Sequence, residues 1–167
     1  MPGSNLSPIV VDTSVLLNFL KAGRLDILHA CTARLVIPTE VRGEVRRPDQ
    51  VAALNAALAD GRISEEPITS TAEVALFAQL AARGALGIGE RAVIAIAATR
   101  GWGAALQDKP AREEAQRRNK AMELHNTESF VREAMGHGAI TYDQADALLV
   151  EWRTQHRFRS LLTTFRP

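Results

Sequence analysis

A β-branched run, Ile9-Val10-Val11, passes directly into Asp12-Thr13-Ser14 and then into Val15, Leu16, Phe19 and Leu20. The run suits a short strand buried on both faces. The apolar residues after it fall at i, i+1, i+4 and i+5, one stripe of a helix. Strand and helix follow each other with almost nothing between, the opening of a βαβ unit. Asp12 is thereby placed at the carboxyl end of a strand, the edge at which open α/β sheets bind ligands. Thr13 or Ser14 is expected to cap the helix. An Asp in this place is also a common cap, so its meaning depends on whether other acids stand at equivalent junctions.

The alternation recurs along the chain. Leu35-Val36-Ile37 reads as a second strand, and Pro38-Thr39 opens a helix carrying Glu40, Val41, Glu44 and Val45. Val51 to Leu58 continues as an Ala-rich helix, and a weak strand is expected around Ile63. Ser70-Thr71 with Glu73 starts a helix whose inner stripe is Val74, Phe77, Leu80 and Ala81. Gly87-Ile88-Gly89-Glu90 reads as a flexible loop entering a helix over 91–100. Ala104 to Leu106 is a third strand, with Asp108 close behind and Pro110 in the first turn of the next helix. That helix turns Ala111 and Ala115 inward. Met122 to Leu124 is a further candidate strand, and helices over 127–135 and 141–153 follow. Strands alternating with helices imply an α/β fold, a short parallel sheet flanked by helices on both faces. The expected organisation is one domain over 1–167, with residues 1–7 flexible.

Composition narrows the function. At 167 residues and 46% apolar content the chain can bury a real core. A net charge of +1 neither demands nor excludes a nucleic-acid partner. One cysteine, Cys31, rules out an internal disulfide and suits a reducing compartment. His29, His125, His137 and His156 lack paired ligand spacing, which argues against zinc. No stretch is long and apolar enough to cross a membrane, and Met1 to Ser7 lacks a signal-peptide pattern. The expected location is the cytoplasm.

Three acids stand at comparable places: Asp12 after the first strand, Glu90 at the opening of a helix, and Asp108 after the third strand. Glu44 lies one turn into the helix after the second. In a parallel sheet these junctions share one edge, where four carboxylates would repel unless a divalent cation neutralised them. Oxygen donors without His or Cys favour magnesium or manganese. Such a site activates water and stabilises in-line attack on a phosphodiester, with one metal or with two ~4 Å apart. Each acid also has an ordinary reading: Glu90 as a helix-dipole partner, Asp108 as a turn residue, Glu44 as a surface partner of Arg47. Four idle acids at matching junctions is the less economical account.

The ordered set Val10-Val11-Asp12-Thr13-Ser14-Val15-Leu16, Ile37-Pro38 with Val41 and Glu44-Val45, Gly89-Glu90 with Ala95-Ile96-Ala97, and Asp108-Lys109 with Ala111-Arg112 resembles a PIN domain, the fold of the VapC-type toxin ribonucleases. Thr127, Ala134, Gly138 and Ile140 resemble the ending of one subgroup of small bacterial PIN proteins. The resemblance implies a three-layer PIN-like fold and a metal-dependent endoribonuclease. Its acids would be Asp12, Glu44, Glu90 and Asp108, holding Mg2+ or Mn2+, with a further hydroxyl at Ser14 or Thr127. It also implies RNA as substrate, an antitoxin protein as partner, and a homodimer. The subgroup often has an acid where Gln107 stands and a glycine where Asn126 stands.

Two late stretches are basic: Lys109, Arg112, Arg117, Arg118 and Lys120, then Arg153, Arg157, Arg159 and Arg166. Either can be a solvated face or a binding surface. Arg112, one turn after Asp108, is placed to reach a phosphate near the metal. Trp102, Tyr142 and Trp152 are candidates for base stacking, with core packing the commoner role. Two other readings remain open at this point. One is a receiver-like binding module; against it, Asp12 has no acidic neighbour and no Gly-rich phosphate loop follows the first strand. The other is a PIN fold that has lost catalysis, which Gln107 leaves open.

Overall fold

A computed structural model describes residues 7–167. The expected flexibility of residues 1–7 therefore lies, for 1–6, outside the described residues. Five strands form one sheet: β1 (Ile9–Val11), β2 (Leu35–Pro38), β3 (Ile63–Glu66), β4 (Gly103–Ala105) and β5 (Leu124–His125). Their order is β3-β2-β1-β4-β5, and every pairing is parallel. The β-branched run takes the central place: Ile9 pairs with Leu35 on one side and Gly103 on the other.

Nine helices are described: α1 (Thr13–Lys21), α2 (Leu25–His29), α3 (Thr39–Glu44), α4 (Pro48–Ala59), α5 (Thr71–Ala81), α6 (Ile88–Arg100), α7 (Lys109–Arg118), α8 (Thr127–Gly136) and α9 (Tyr142–Gln155). From β1 to β3 the chain steps outward in one direction; it then returns past β1 and steps the other way. Right-handed crossovers put the helices of these two halves on opposite faces. The outcome is the expected three-layer α/β arrangement. α6 packs on β1, β2 and β4, and Ala92 to Ala97 are all buried. On the α1 side, Phe19 meets Trp152 edge-on at 5.5 Å and Phe130 at 6.2 Å. The Trp152 indole N–H donates to the Asn18 carbonyl at 2.8 Å, so this buried ring leaves no polar atom unmet.

The expected inner stripe of α5 needs correction. Leu80 is buried, but Val74 is 53% exposed and Ala81 faces solvent, whereas Glu73 is buried. Electrostatics override hydrophobic periodicity here. Glu73 Oε1 accepts from Arg100 Nε at 2.6 Å, and Oε2 accepts from the N–H groups of Thr69 and Ser70. Burial alone would push this carboxyl up; the guanidinium and the two amides outweigh it and hold it at about 2. The folded value lies below the ordinary 4.5. The stabilisation is therefore complete above pH ~4.5 and lost as pH falls toward ~2, about 3 kcal/mol in all. Urea midpoints measured at falling pH should show this loss in the parent, and Glu73→Gln should flatten it from a lower starting stability.

Candidate active site

Asp12, Glu44, Glu90 and Asp108 come from the ends of β1, α3, the first turn of α6 and the end of β4. β2, β1 and β4 are neighbours in the sheet, so the acids gather at one carboxyl edge. Asp12 is 3% exposed and is itself the N-cap of α1, a role expected of Thr13 or Ser14. Its Oδ2 accepts from the Ser14 hydroxyl at 2.6 Å and the Ser14 N–H at 3.2 Å. Cap and candidate site acid are thus one residue: Oδ2 serves the helix and Oδ1 lies towards Gly89 of α6. Burial pushes the Asp12 carboxyl up, the Ser14 hydrogen bonds oppose this, and the Glu44 charge adds to the rise.

Glu44 does not pair with Arg47, which is bound to Asp49. Its Oε2 accepts instead from the Thr13 hydroxyl. Glu90 is half-buried and reaches back so that Oε2 accepts the Gly87 N–H at 2.9 Å. Its carboxyl is raised by burial; the Gly87 hydrogen bond opposes the shift, and the charges of Asp12, Asp108 and Glu44 add to it. Those three acids are the ones expected to share the site with it. Asp108 is exposed at the start of α7 and makes no capping hydrogen bond.

Gly89, expected in a loop ahead of the helix, lies inside the first turn of α6 and is buried. A Cβ at this position would sit 2.8 Å from Thr13 Oγ1, 3.0 Å from Glu44 Oε2 and 3.1 Å from Asp12 Oδ1. The missing side chain lets α6 close over the acids. The Gly89-Glu90 pair in the sequence is the local signal of this arrangement. Thr13, expected as a cap of α1, holds Glu44 instead.

The donor set fits a hard divalent cation: carboxylate oxygens, partly withdrawn from water, whose charges oppose one another. Among the described residues no three acidic, His or Cys side chains yet converge on one point. Glu44 is turned onto Thr13 and Glu90 onto Gly87.

The polar residues expected to touch substrate divide. Ser14 is partly exposed beside Asp12. Thr127 is fully buried, and its hydroxyl accepts from Asn18 Nδ2 at 2.9 Å, so it positions α1 against α8 and meets no solvent. Gln107 is not part of the acid cluster: Oε1 accepts the Thr127 N–H and Nε2 donates to Glu128. Arg112 Nη1 is spent on the carbonyls of Leu106 and His125, at 3.0 and 2.9 Å, tying the ends of β4 and β5 together. Trp152 belongs to the core, and Trp102 lies under Arg34 and Arg100. Tyr142 is exposed beneath Arg166.

Among solved structures, a chain of VapBC2 from Rickettsia felis, bound to a DNA fragment from its promoter, is similar at 12% identity and a TM-score of 0.48. The match covers 71% of this chain and 98% of that one. A chain of FitAcB from Neisseria gonorrhoeae is similar at 16% identity and a TM-score of 0.43, covering 71% and 97%. No curated protein sequence matches. No described helix is long and apolar enough to cross a membrane. A family model described as a PIN domain matches residues 8–161, a span that takes in β1 to β5 and all four acids. With its parallel sheet and its acids at the expected junctions, the chain belongs to the PIN-domain family.

Proposed function

We propose that the protein is a metal-dependent endoribonuclease, the toxin of a toxin–antitoxin pair, with Asp12, Glu44, Glu90 and Asp108 as the residues that hold Mg2+ or Mn2+. The observation that carries this is the gathering of four acids at one sheet edge, with Gly89 making room among them and the Asp12 and Glu90 carboxyls raised by burial and by neighbouring acidic charge. Folding them together without a counter-charge costs stability, a cost expected at functional sites. When bound, such an ion neutralises the carboxylates, polarises a phosphodiester and lowers the pKa of water. The chain's own work is positioning. Ser14 fixes Asp12 through Oδ2 and leaves Oδ1 towards Gly89, Thr13 steers Glu44, and Glu90 keeps Oε1 out of its hydrogen bond to Gly87. An antitoxin, a homodimer and a cytoplasmic location belong to the same reading. Apolar side chains exposed on the packed α5 and α6 pair, Val74 and Ile88, suit a self-associating face.

The choice between Glu40 and Glu44 tests the site directly. The two lie four apart on α3, on successive turns of one face. Glu44 touches Thr13 and raises the Asp12 and Glu90 carboxyls. Glu40 is half-buried, and its Oε2 has no hydrogen-bond partner among the described residues. Glu44→Gln should lower RNA cleavage by ~10²-fold or more and weaken Mn2+ binding by calorimetry. Glu40→Gln should leave turnover within a few-fold of the parent. Equal effects, or the reverse ranking, would remove Glu44 from the site.

A further inference from the structure

A groove of about 340 Å3 opens beside the candidate site, lined by Ser14, Lys21 and Asp108 together with His156, Arg157 and Arg159. We propose that the cations of this groove, Lys21 of α1 with Arg157 and Arg159 of the segment after α9, grip the phosphate backbone of a single-stranded RNA on its way to the four acids. The inference rests on the nuclease reading and adds the substrate path to it.

In the later basic stretch Arg166 is paired with Asp143 and Asp146 and Arg153 is held by the Ser160 and Leu162 carbonyls, which leaves Arg157 and Arg159. The cations of α7 are largely neutralised: Lys109 meets Glu113, Arg117 meets Glu113 and Glu114, Arg118 meets Glu114, and Arg112 is held by backbone carbonyls. The larger concavity there, about 650 Å3 between α7 and β5, is lined by these same compensated side chains. Around the smaller groove the balance is different. Lys21, Arg157 and Arg159 are exposed, and none has a carboxylate partner among the described residues. His156 lies 3.3 Å from Glu151. Uncompensated cations beside a carboxylate cluster are what a polyanion needs in order to approach acids that would otherwise repel it.

The segment after α9 is also held in place. Arg157 follows the cap of α9 in the left-handed conformation, φ +55°, where glycine is usual. The Phe158 N–H then bonds back to the Trp152 carbonyl at 3.0 Å, and its ring packs on Trp152 at 5.3 Å. Two residues on, the Ser160 hydroxyl donates to Glu128 Oε1 at 2.7 Å, while Glu128 Oε2 accepts from Gln107 next to Asp108. Phe158 and Ser160 anchor the segment inward, and the alternate residues Arg157 and Arg159 face out. A groove of this volume is at the small end of ligand clefts, ~300–1,000 Å3. That volume is of the size of a nucleotide or two of single strand.

The test uses the full chain carrying Asp12→Asn, so that RNA is bound without being cut. The probe is a short fluorescein-labelled single-stranded RNA, followed by anisotropy across a salt series. Arg157→Asn with Arg159→Gln, in which Asn tolerates the left-handed conformation, should weaken binding about tenfold near 0.1 M salt. The slope of log K against log salt should fall by ~1.4, or ~0.7 per lost phosphate contact. Arg157→Lys with Arg159→Lys should recover most of the slope, and Arg117→Gln with Arg118→Gln should change neither. An unchanged slope in the groove variant, or an equal loss in the α7 variant, overturns the proposal. So does a polyglutamate peptide that binds the groove more tightly than RNA, which would make it a protein-docking site. Cleavage by the Asp12 parent is assayed alongside. Absent cleavage with a lost slope removes the nuclease reading and keeps the groove; metal-dependent cleavage with an unchanged slope does the opposite.

Discussion

Asp12→Asn should abolish RNA cleavage while leaving the protein folded and at least as stable as the parent. The two halves of this result have separate causes. Asn is as good an N-cap as Asp, so the Ser14 N–H keeps its acceptor and α1 keeps its start. The substitution also removes a buried charge that Glu44 opposes. Activity should move the other way. Charge stabilisation at a metal site is worth several kcal/mol, and each ~1.4 kcal/mol is tenfold in rate, so a fall of ~10³-fold or more is expected. Thermal melting and a cleavage assay with added Mn2+ check both halves. Full activity in the variant, or in excess chelator, would reject the metallonuclease reading.

Gly89→Ala should produce a second loss of activity, ~10²-fold, through a single methyl group. In most helices this change stabilises by up to ~1 kcal/mol, because Ala restricts the unfolded chain and favours the helix. At Gly89 the new Cβ meets Thr13 Oγ1 at 2.8 Å, closer than real contacts allow. Thr13 is β-branched and fixed at the start of α1, so α6 must move away or the Thr13–Glu44 hydrogen bond must break. Either movement displaces Glu44 relative to Asp12, and misplacement of about 1 Å can cost ~10²-fold. Gly43, with open space around it, is the control: Gly43→Ala should leave cleavage unchanged. A Gly89→Ala enzyme of full activity would mean that α6 does not close over the acids as described.

What could be read beforehand followed from chemistry that is local in the chain. Ile9 to Val11 announce a central strand because all three side chains are apolar and β-branched, and all three are buried. β3 was nearly illegible, because Ser64, Glu65 and Glu66 carry no apolar pattern. They form an edge strand whose acids are paired with Arg42, Arg34 and Arg100, contacts between distant positions. The inward turn of Glu73 failed for the same reason: its partner Arg100 arrives from α6. At the site, the acids were visible as types at junctions. Thr127 was visible only as a hydroxyl near a helix start, and nothing local says that Asn18 will seal it from solvent. A polar Asn18 within the apolar stripe of α1 was the available hint.

The strand order also has a consequence for how the protein is made. β1 leaves the ribosome first, but its partner on one side, β4, is synthesised only after β2, β3 and the helices between them. Until that late parallel pairing closes, Asp12 and Asp108 are on unconnected parts of the chain, and such long-range closure is the slow part of folding. An unfinished or truncated polypeptide therefore keeps its carboxylates scattered. The topology works as a delay: the acidic edge cannot assemble until β4 has been synthesised.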